Sequence, residues 1–385
     1  MELFICFTNK DKDKFRFIVS MFSWLLCLFY VYYVSSYKMS NHRLHMDILN
    51  AHKWYVIGES KDVNSCKPKK LMINNKPITL WKDENERFMA INDVCPHRGA
   101  SLAEGRIDRR LNCVVCPYHT FKFNKHGRLV QTPGQKIIRP NMVFNQKTDV
   151  PHYDIVNFNG WLYLHSEPKY DIDSTRSDES TIWIEPEAYD DSYKYVTLKK
   201  LFHVDARTVT ENSLDILHIS EVHTFGNKKR PLPMNDKIEK IAEGHYKASY
   251  EYESGEDSMA YKVFGIKSLI VENEYILPHY TVARVKFGDF VNTIVTSALP
   301  ITENKTMLHV KAYRNNWVSG VPAIDYLFDK LTERMMEKTL NEDRAVIEKI
   351  YYDFREGNFI TKYDELTRLY REDYKSFVQN NGRSL

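Results

Sequence analysis

The sequence predicts an α+β protein, in which a small all-β domain precedes a larger antiparallel sheet that carries helices. Short alternating segments separated by turn residues run from Trp54 to about residue 165, as is typical of a small all-β domain. Longer alternating runs at 245–254 and from about 268 to 315 predict the large sheet. Helical spacing follows from Pro322 to about Phe354. A chain of 385 residues has room for two such domains.

The all-β domain is assigned to residues 50–165. The Asn-Asn-Lys-Pro stretch at 74–77 and the His126-Gly127 pair predict turns between neighbouring strands, because these residue types favour the backbone angles of tight turns. A polar and acidic segment at 166–180 is the expected linker, and residues 181–378 are the expected second domain.

The second domain opens with a strand pattern, after which residues 210–223 have helical spacing. The helix predicted from Pro322 places apolar side chains on one recurring face: Ile324, Leu327, Leu331, Met335, Val346 and Ile350.

Composition excludes two classes of protein. The 54 basic and 51 acidic residues nearly balance and form no basic block, so a nucleic-acid partner is not expected. The six cysteines are too few and too unevenly spaced for a disulfide-stapled scaffold.

Two short motifs, Cys95-Pro-His97 and Cys116-Pro-Tyr-His119, each combine one cysteine with one histidine. Two such loops can hold a [2Fe–2S] cluster, with the two thiolates on one iron and the two imidazoles on the other. Zinc is the competing metal, but a zinc finger pairs its cysteines in one loop and its histidines in another. The mixed loops therefore favour the iron–sulfur cluster. Cys113 also forms a C-x-x-C with Cys116, but strand alternation puts the two on opposite faces, so Cys113 is interpreted as a strand residue.

A second motif contains Asn212, Asp215, His218 and His223. On one helix that loosens near its end, these side chains would fall within roughly 140° of the circumference. Two imidazoles and one carboxylate on one face of a metal are the ligand set of non-haem iron(II) oxygenases, which keep positions open for dioxygen. The alternative is a helix with ordinary polar residues that bind no metal. The spacing of the two histidines would be weak evidence for a metal site if the first motif were not present in the same chain.

Residues 54–165 resemble a Rieske domain. In one branch of that family, the respiratory and photosynthetic electron carriers, each loop has an additional cysteine and the two form a disulfide. Here Ala100 and Tyr118 stand at those positions, so the resemblance is to the oxygenase branch.

The second motif resembles the N-x-x-D-x-x-H-x-x-x-x-H signature of the catalytic subunits of Rieske non-haem iron oxygenases. Two residues separate Asn212 from Asp215, whereas ring-hydroxylating dioxygenases commonly have three. The match therefore favours the single-component monooxygenase and demethylase-like branches. The resemblance also implies a helix-grip (START-like) catalytic domain.

The resemblance implies a role for each motif residue. His218 and His223 become iron ligands, and Asn212 lies near the iron without binding it firmly. Asp215 becomes a bridge between an iron-ligand histidine and a cluster histidine of a neighbouring subunit. The carboxylate ligand comes from the late acidic motif and is assigned to Asp343.

Two acidic residues close to Asp343 have other expected roles. Glu342 is the alternative carboxylate ligand in the same motif. Glu348 is expected to be a solvated charge on the helix surface.

The activity that follows from the resemblance is dioxygen-dependent oxidation of an apolar organic substrate, such as a sterol or other lipid, by hydroxylation, demethylation or desaturation. Electrons would come from a separate NAD(P)H-dependent reductase or a ferredoxin, since the chain has no nucleotide-binding glycine motif. They would pass from the cluster through His119 and Asp215 to the mononuclear iron(II) of an adjacent subunit in a homotrimer. The alternative function is a membrane-anchored Rieske electron carrier without oxygenase activity.

The N-terminal segment, residues 1–45, contains an uncharged apolar stretch at 17–37 that is long enough to span a bilayer as a helix. A cleaved signal peptide is the alternative, but the stretch is long for one and no clear cleavage site follows. Basic residues before the stretch would place the body across the membrane, whereas iron chemistry needs cytosolic reductant. A membrane anchor with the domains facing the cytosol is expected, unless translation starts at Met39 or Met46.

Overall fold

The computed structural model describes residues 54–63, 67–83, 85–136, 143–224, 227–253, 261–262 and 265–381. The α+β class predicted from the sequence is confirmed, because an all-β part is followed by an antiparallel sheet with helices. The predicted membrane helix at 17–37 lies outside the described residues. Within the described ranges, no helix is both long enough and apolar enough to cross a bilayer.

The all-β part consists of short strands in three antiparallel sheets. The Asn74-Asn75 pair forms the predicted turn, and both residues have positive φ angles, as a tight hairpin requires. The strands are β1 (Trp54–Glu59), β2 (Lys69–Ile73), β3 (Lys76–Lys82), β4 (Phe88–Asn92), β5 (Arg106–Asp108), β6 (Cys113–Val115), β7 (Lys122–Phe123), β8 (Leu129–Thr132), β9 (Gln135–Lys136), β10 (His152–Tyr153), β11 (Ile155–Phe158) and β12 (Trp161–His165). The sheets have the orders β1-β12-β11, β10-β4-β3-β2 and β5-β6-β7-β8-β9.

The second part is built on a seven-stranded antiparallel sheet of order β13-β19-β18-β17-β16-β15-β14. Its strands are β13 (Lys194–Phe202), β14 (Asn235–Ala242), β15 (His245–Glu253), β16 (Ser268–Ile276), β17 (Tyr280–Phe287), β18 (Phe290–Thr302) and β19 (Lys305–Arg314). The helices are α1 (Ala206–Leu214), α2 (Ile219–Val222), α3 (Pro322–Ile347) and α4 (Glu365–Asn381). Helix α4 was not predicted from the sequence.

The two faces of the large sheet have different partners, because successive residues of a strand point to opposite sides. On one face, called the outer face, Val282 and Val295 pack against Trp54 and Trp161 of the β1-β12-β11 sheet. On the other, the inner face, apolar residues of β18 and β19 pack against α1 and α3. The inner face is therefore covered by α3, which carries Asp343, and by α1, which ends just before the segment that contains His218 and His223.

Helix α3 ends at Ile347, earlier than the predicted Phe354. The recurring apolar face predicted for this helix is not its buried face, since Leu327 is 65% exposed and Ile324 is 45% exposed. The buried side chains follow another stripe that includes Leu340, Asp343 and Ile347. Because Asp343 belongs to this stripe, the helix directs a carboxylate inward.

Candidate metal centres

Three predicted ligands, His218, His223 and Asp343, come together beside the inner face of the large sheet. Nε2 of His218 lies 3.2 Å from Nε2 of His223, and Oδ1 of Asp343 lies 3.3 Å and 3.4 Å from these two nitrogens. Ligand atoms that lie about 2.1 Å from one ion and at right angles to each other are about 3.0 Å apart. The triangle therefore has nearly the size of one face of an octahedral metal site.

The donor set of this triangle suits iron(II), because two imidazoles and one carboxylate on one face leave the opposite positions open. Oδ1 of Asp343 is buried and makes no hydrogen bond to any residue that the structure describes. This oxygen lies within ion-pair distance of both imidazoles, and a cation at the centre of the triangle would compensate its buried charge. The residues present thus fit a mononuclear iron.

The outward nitrogens of both imidazole rings face carboxylates. Nδ1 of His223 lies 3.1 Å from Oε2 of Glu342, and Nδ1 of His218 lies 3.6 Å from Oδ2 of Asp215. A carboxylate at Nδ1 favours the tautomer that carries its proton there and leaves Nε2 free to bind a metal. Glu342 is therefore within hydrogen-bond distance of the His223 ring and orients it from its outer side, whereas Asp215 lies only within ion-pair distance of His218.

The surroundings of the triangle shift the pKa values of its two histidines in opposite directions. Burial opposes protonation of His218, but the carboxylates of Asp215 and Asp343 outweigh burial and raise its pKa to about 9. Burial lowers the pKa of His223 despite the nearby Asp343. Without a metal, His218 therefore holds the proton that an iron ion would have to displace.

The prediction that one helix carries the whole second motif is wrong, because helix α1 ends at Leu214. Oδ1 of Asp215 accepts a hydrogen bond of 2.8 Å from the backbone N–H of Leu217, an arrangement that competes with helical hydrogen bonding. The chain then turns, and α2 begins at Ile219. His218 and His223 flank this short helix, and the break allows both rings to reach Asp343.

Helix α3 places its neighbouring acidic residues in different surroundings. Asp343 points toward the two histidines, while Glu342 contacts only the outward nitrogen of His223 among the atoms of this cluster. The expectation that Glu348 is merely solvated is wrong, because its Oε1 accepts a 2.9 Å hydrogen bond from the backbone N–H of His203. Glu348 thus ties the end of α3 to the segment after β13.

A cavity of about 500 Å³ adjoins the triangle and has a mainly apolar wall. Asn212 lines this cavity, as do all three residues of the triangle. The volume is within the range of cavities that bind small organic molecules. Apolar lining residues come from the sheet and from α3, among them Val271, Ala283, Val285, Ile294, Phe328, Leu331 and Met335.

The two loops of the first motif have the same backbone hydrogen bonding. The N–H of Cys95 donates to the carbonyl of Ala100, and the N–H of Gly99 donates to the carbonyl of Cys95. In the second loop, the N–H of Cys116 donates to the carbonyl of Phe121, and the N–H of Thr120 donates to the carbonyl of Cys116. Two loops of matched shape can present their side chains symmetrically to one cluster.

The four predicted cluster ligands of these loops are arranged with sulfur inside and imidazole outside. Cys95 and Cys116 are buried and form no disulfide, while the rings of His97 and His119 lie nearer the surface with centroids 4.7 Å apart. Burial, and then the adjacent Cys116 thiol, raise the pKa of Cys95 to about 11. Iron would supply the positive charge that buried thiolates need, so the site fits a [2Fe–2S] cluster.

Two supports of the first loop were missed at the sequence level. The ring of Phe121 stacks on His97 with centroids 4.7 Å apart. The buried carboxylate of Asp93 accepts hydrogen bonds from the Thr79 and Ser101 hydroxyls, each of 2.6 Å, and from the Ala103 N–H at 2.7 Å. In the sequence, Asp93 is only an acidic residue two positions before Cys95, and that does not reveal that its carboxylate is buried. Cys113 is a buried residue of strand β6, as predicted.

Two family models match the chain in succession. The Rieske [2Fe–2S] domain matches residues 53–148, and the 3-ketosteroid 9α-hydroxylase C-terminal domain matches residues 161–346. The chain belongs to the Rieske non-haem iron oxygenase family. The two candidate centres lie one in each matched region, and a [2Fe–2S] cluster and a non-haem iron are the cofactors of this family.

Known members of the family are similar to parts of the chain. Chloroplastic pheophorbide a oxygenase from Oryza sativa subsp. japonica is 24% identical over 284 residues, which are 70% of this chain and 50% of the relative. The iron–sulfur subunit TsaM1 of the toluene-4-sulfonate monooxygenase system from Comamonas testosteroni is 28% identical over 44% of this chain and 45% of the relative. Cholesterol 7-desaturase nvd from Bombyx mori is 24% identical over 44% of this chain and 35% of the relative. The chain thus spans half or less of the length of each of these relatives.

Solved structures of Rieske oxygenases share the fold. Dicamba monooxygenase bound to dicamba aligns with a TM-score of 0.70 and 18% identity, covering 87% of this chain and 99% of that chain. NdmA of Pseudomonas putida CBB5 with caffeine aligns with a TM-score of 0.68 and 17% identity, covering 88% and 93%. At such identities the likeness concerns the fold alone.

Proposed function

We propose that this chain is an oxygenase that oxidises an apolar organic molecule with dioxygen and with electrons from a separate NAD(P)H-dependent reductase or ferredoxin. The observation that carries the proposal is the triangle of His218, His223 and Asp343 on the wall of a mainly apolar cavity. A protein that only carries electrons has no need of a second metal site that opens into a substrate-sized space. The branch we favour is that of the single-component monooxygenases and demethylases.

Each residue of the two centres has a definite task in this proposal. Cys95, His97, Cys116 and His119 would hold the [2Fe–2S] cluster, and His218, His223 and Asp343 would hold the mononuclear iron. When bound, the cluster supplies single electrons and the iron binds and reduces dioxygen. Glu342 orients the His223 ring, Asp215 lies within ion-pair distance of His218, and Asn212 occupies the cavity wall.

The cavity wall supports an apolar substrate such as a sterol or other lipid. Side chains of Val271, Ile294, Phe328 and Leu331 line it and present an apolar surface to a bound molecule. One family model is named for a ketosteroid hydroxylase, and one relative is a cholesterol desaturase. Both names refer to rigid, apolar steroid substrates, which supports a substrate of this kind. The chain would hydroxylate, demethylate or desaturate it.

Two further proposals concern the setting of the enzyme. The apolar stretch at 17–37 would anchor the chain in a membrane, with the domains facing the cytosol where reductant is available. The working assembly would be a homotrimer in which Asp215 also reaches a cluster histidine of a neighbouring copy. The side chain of Asp215 is 40% exposed, which leaves its carboxylate accessible to such a neighbour.

Turnover with product analysis tests the proposed function. Protein reconstituted with iron and sulfide is supplied with NADH, a Rieske-oxygenase reductase, ¹⁸O₂ and a panel that contains sterols and aromatic acids. We expect substrate-dependent oxygen uptake and a sterol product that gains labelled oxygen or loses hydrogen. A His218→Ala variant with an intact cluster spectrum is the control and should be inactive. Reduction of the cluster without substrate-dependent oxygen uptake across the panel would instead support the electron-carrier alternative.

A further inference from the structure

Asn273 is a buried amide on the cavity wall. It lies in the middle of strand β16 on the inner face of the large sheet, is 2% exposed, and lines the cavity. Its Oδ1 has no hydrogen-bond partner among the residues that the structure describes. Burial of a polar atom without a partner opposes folding, so a group that enters the cavity is the natural source of the missing hydrogen bond.

The neighbours of Asn273 in the sheet leave space in front of its amide. In register, Ala248 of β15 lies on one side and Ala283 of β17 on the other, and both carry only a methyl group. A larger residue at either position would cover the amide, because directly paired side chains of adjacent strands touch. The amide therefore lies against the cavity wall between two small side chains, and Ala283 also lines the cavity.

A second polar group lies beside Asn273 on the same face. The hydroxyls of Thr281 and Thr296 are 2.6 Å apart and form one hydrogen bond, so the accepting hydroxyl keeps its own hydrogen for another partner. Thr281 pairs with Tyr275, two residues along β16 from Asn273, which makes Thr281 a diagonal neighbour of Asn273. Such neighbours are about 7 Å apart, a gap that one ligand atom with two hydrogen bonds can bridge.

We propose that Asn273 and the Thr281–Thr296 pair bind a hydroxyl group on an otherwise apolar substrate. A hydroxyl both donates and accepts, so it can donate to Oδ1 of Asn273 and accept from the free threonine hydrogen. This proposal rests on the proposed function and specifies its substrate class. It makes Asn273 a residue that fixes the orientation of the substrate in front of the triangle.

The charges around the cavity argue against a carboxylate in this role. Among the described residues that line the cavity, Lys338 is the only lysine or arginine, and its side chain is 61% exposed and 4.0 Å from Glu342. A carboxylate beside Asn273 would be desolvated without a buried lysine or arginine on the described cavity wall to pair with it. The acidic residues that line the cavity, Asp215, Glu253 and Asp343, would repel a carboxylate as well, so an uncharged hydroxyl fits better.

The first test measures thermal unfolding of the iron-loaded protein without substrate. Asn273→Leu replaces an amide that lacks a partner with an apolar side chain of similar volume, so its Tm should equal or exceed that of the wild type. Asn292→Leu is the matched control, since Asn292 also lines the cavity but accepts a 2.8 Å hydrogen bond from Nδ2 of Asn316. Asn292→Leu should lower the Tm. A comparable loss in Asn273→Leu would show that Asn273 is structural and would overturn the proposal.

The second test measures binding of matched probes by equilibrium dialysis, without reductant. The pairs are cholesterol with cholest-5-ene and 2-naphthol with naphthalene, which differ only by one hydroxyl. In at least one pair the wild type should bind the hydroxylated probe at least tenfold more tightly, and Asn273→Leu should abolish this preference while Asn292→Leu retains it. No hydroxyl preference in either pair, or a preference that persists in Asn273→Leu, would overturn the proposal.

The binding result can be separated from the proposed function. A preference that depends on Asn273, together with absence of substrate-dependent oxygen uptake, would support this recognition site and contradict the oxygenase activity. Turnover of a hydroxylated probe with equal efficiency by wild type and Asn273→Leu would support the oxygenase activity and contradict the recognition site.

Discussion

The carboxylate of Glu342 lies 3.1 Å from Nδ1 of His223, while the adjacent Asp343 approaches Nε2 of the same ring at 3.4 Å. Two consecutive residues of one helix therefore contact opposite nitrogens of a single imidazole. The two residues therefore have different tasks. Asp343 also lies 3.3 Å from Nε2 of His218, so it faces the metal site, whereas Glu342 contacts the nitrogen of His223 that points away from that site.

We expect Glu342→Ala to weaken iron(II) binding by about tenfold to a hundredfold, because loss of a hydrogen-bond partner behind a metal-binding histidine has effects of this size. Glu342→Gln should bind iron more tightly than Glu342→Ala, since its amide oxygen can still accept from Nδ1. Competition with a coloured chelator measures the affinity. Glu348→Gln, on the same helix but bonded to His203, is the control. Equal affinity of Glu342→Ala and wild type would refute the assigned role.

Iron binding at the triangle should depend on pH through His218. Because the pKa of His218 is about 9 in the metal-free protein, the ring is protonated at pH 7.5 and must lose that proton to bind iron. Calorimetry in buffers of different ionisation enthalpy should show release of about one proton per iron ion at pH 7.5, and less above pH 9. Asp215→Asn removes one of the groups that raise this pKa and should reduce the release. Proton release that is independent of pH would contradict this account.

Asp93 should matter for the stability of the cluster domain. Asp93→Ala leaves the hydroxyls of Thr79 and Ser101 and the N–H of Ala103 without their acceptor, so we expect a loss of about 2–4 kcal/mol in unfolding free energy. Because Asp93 lies two residues before Cys95, cluster occupancy should fall as well. Denaturant unfolding and the visible absorption of the cluster measure the two effects. Unchanged values for both would show that the loop does not depend on this carboxylate.

A buried ion pair contributes to the packing between the small β1-β12-β11 sheet and the large sheet. Nζ of Lys311 lies 3.0 Å from Oε1 of Glu185, both side chains are buried, and the ammonium sits 4.3 Å from the ring centroid of Trp161. Lys311→Met should destabilise the protein by about 3–5 kcal/mol, because it leaves the Glu185 charge uncompensated. The double variant Lys311→Met/Glu185→Leu should recover part of that loss. Additive losses in a double-mutant cycle would contradict a direct coupling.

Short-range patterns explain why much of the fold could be predicted. Alternation in the segments 245–254 and 268–315 matches strands β15 to β19, because strand faces repeat every two residues. The Asn74-Asn75 turn was also predictable from local preferences. Helix α4 was not predicted although its Leu366, Tyr370 and Tyr374 are buried at helical spacing, because charged and polar residues outnumber the apolar ones in this segment.

The residues of the candidate site that are defined by ligand type and spacing could be predicted from the sequence. The residues whose role depends on tertiary contacts could not. The motifs of ligand residues predict His218, His223 and Asp343, and the structure brings these three residues together. The break at Asp215 was missed because it depends on a side-chain hydrogen bond to Leu217 that helical periodicity does not reveal. Asn273 could not be recognised either, since its significance arises from missing partners and from a cavity formed by distant strands and helices.

Iron content is the most direct test of the central claim that this chain holds two separate iron centres. The wild type, reconstituted without air and freed of loosely bound metal, should contain about three irons per chain, two in the cluster and one in the triangle. His218→Ala should contain about two irons per chain and keep the absorption and low-temperature magnetic resonance signal of the cluster. About two irons in the wild type, or about three in His218→Ala, would contradict the account.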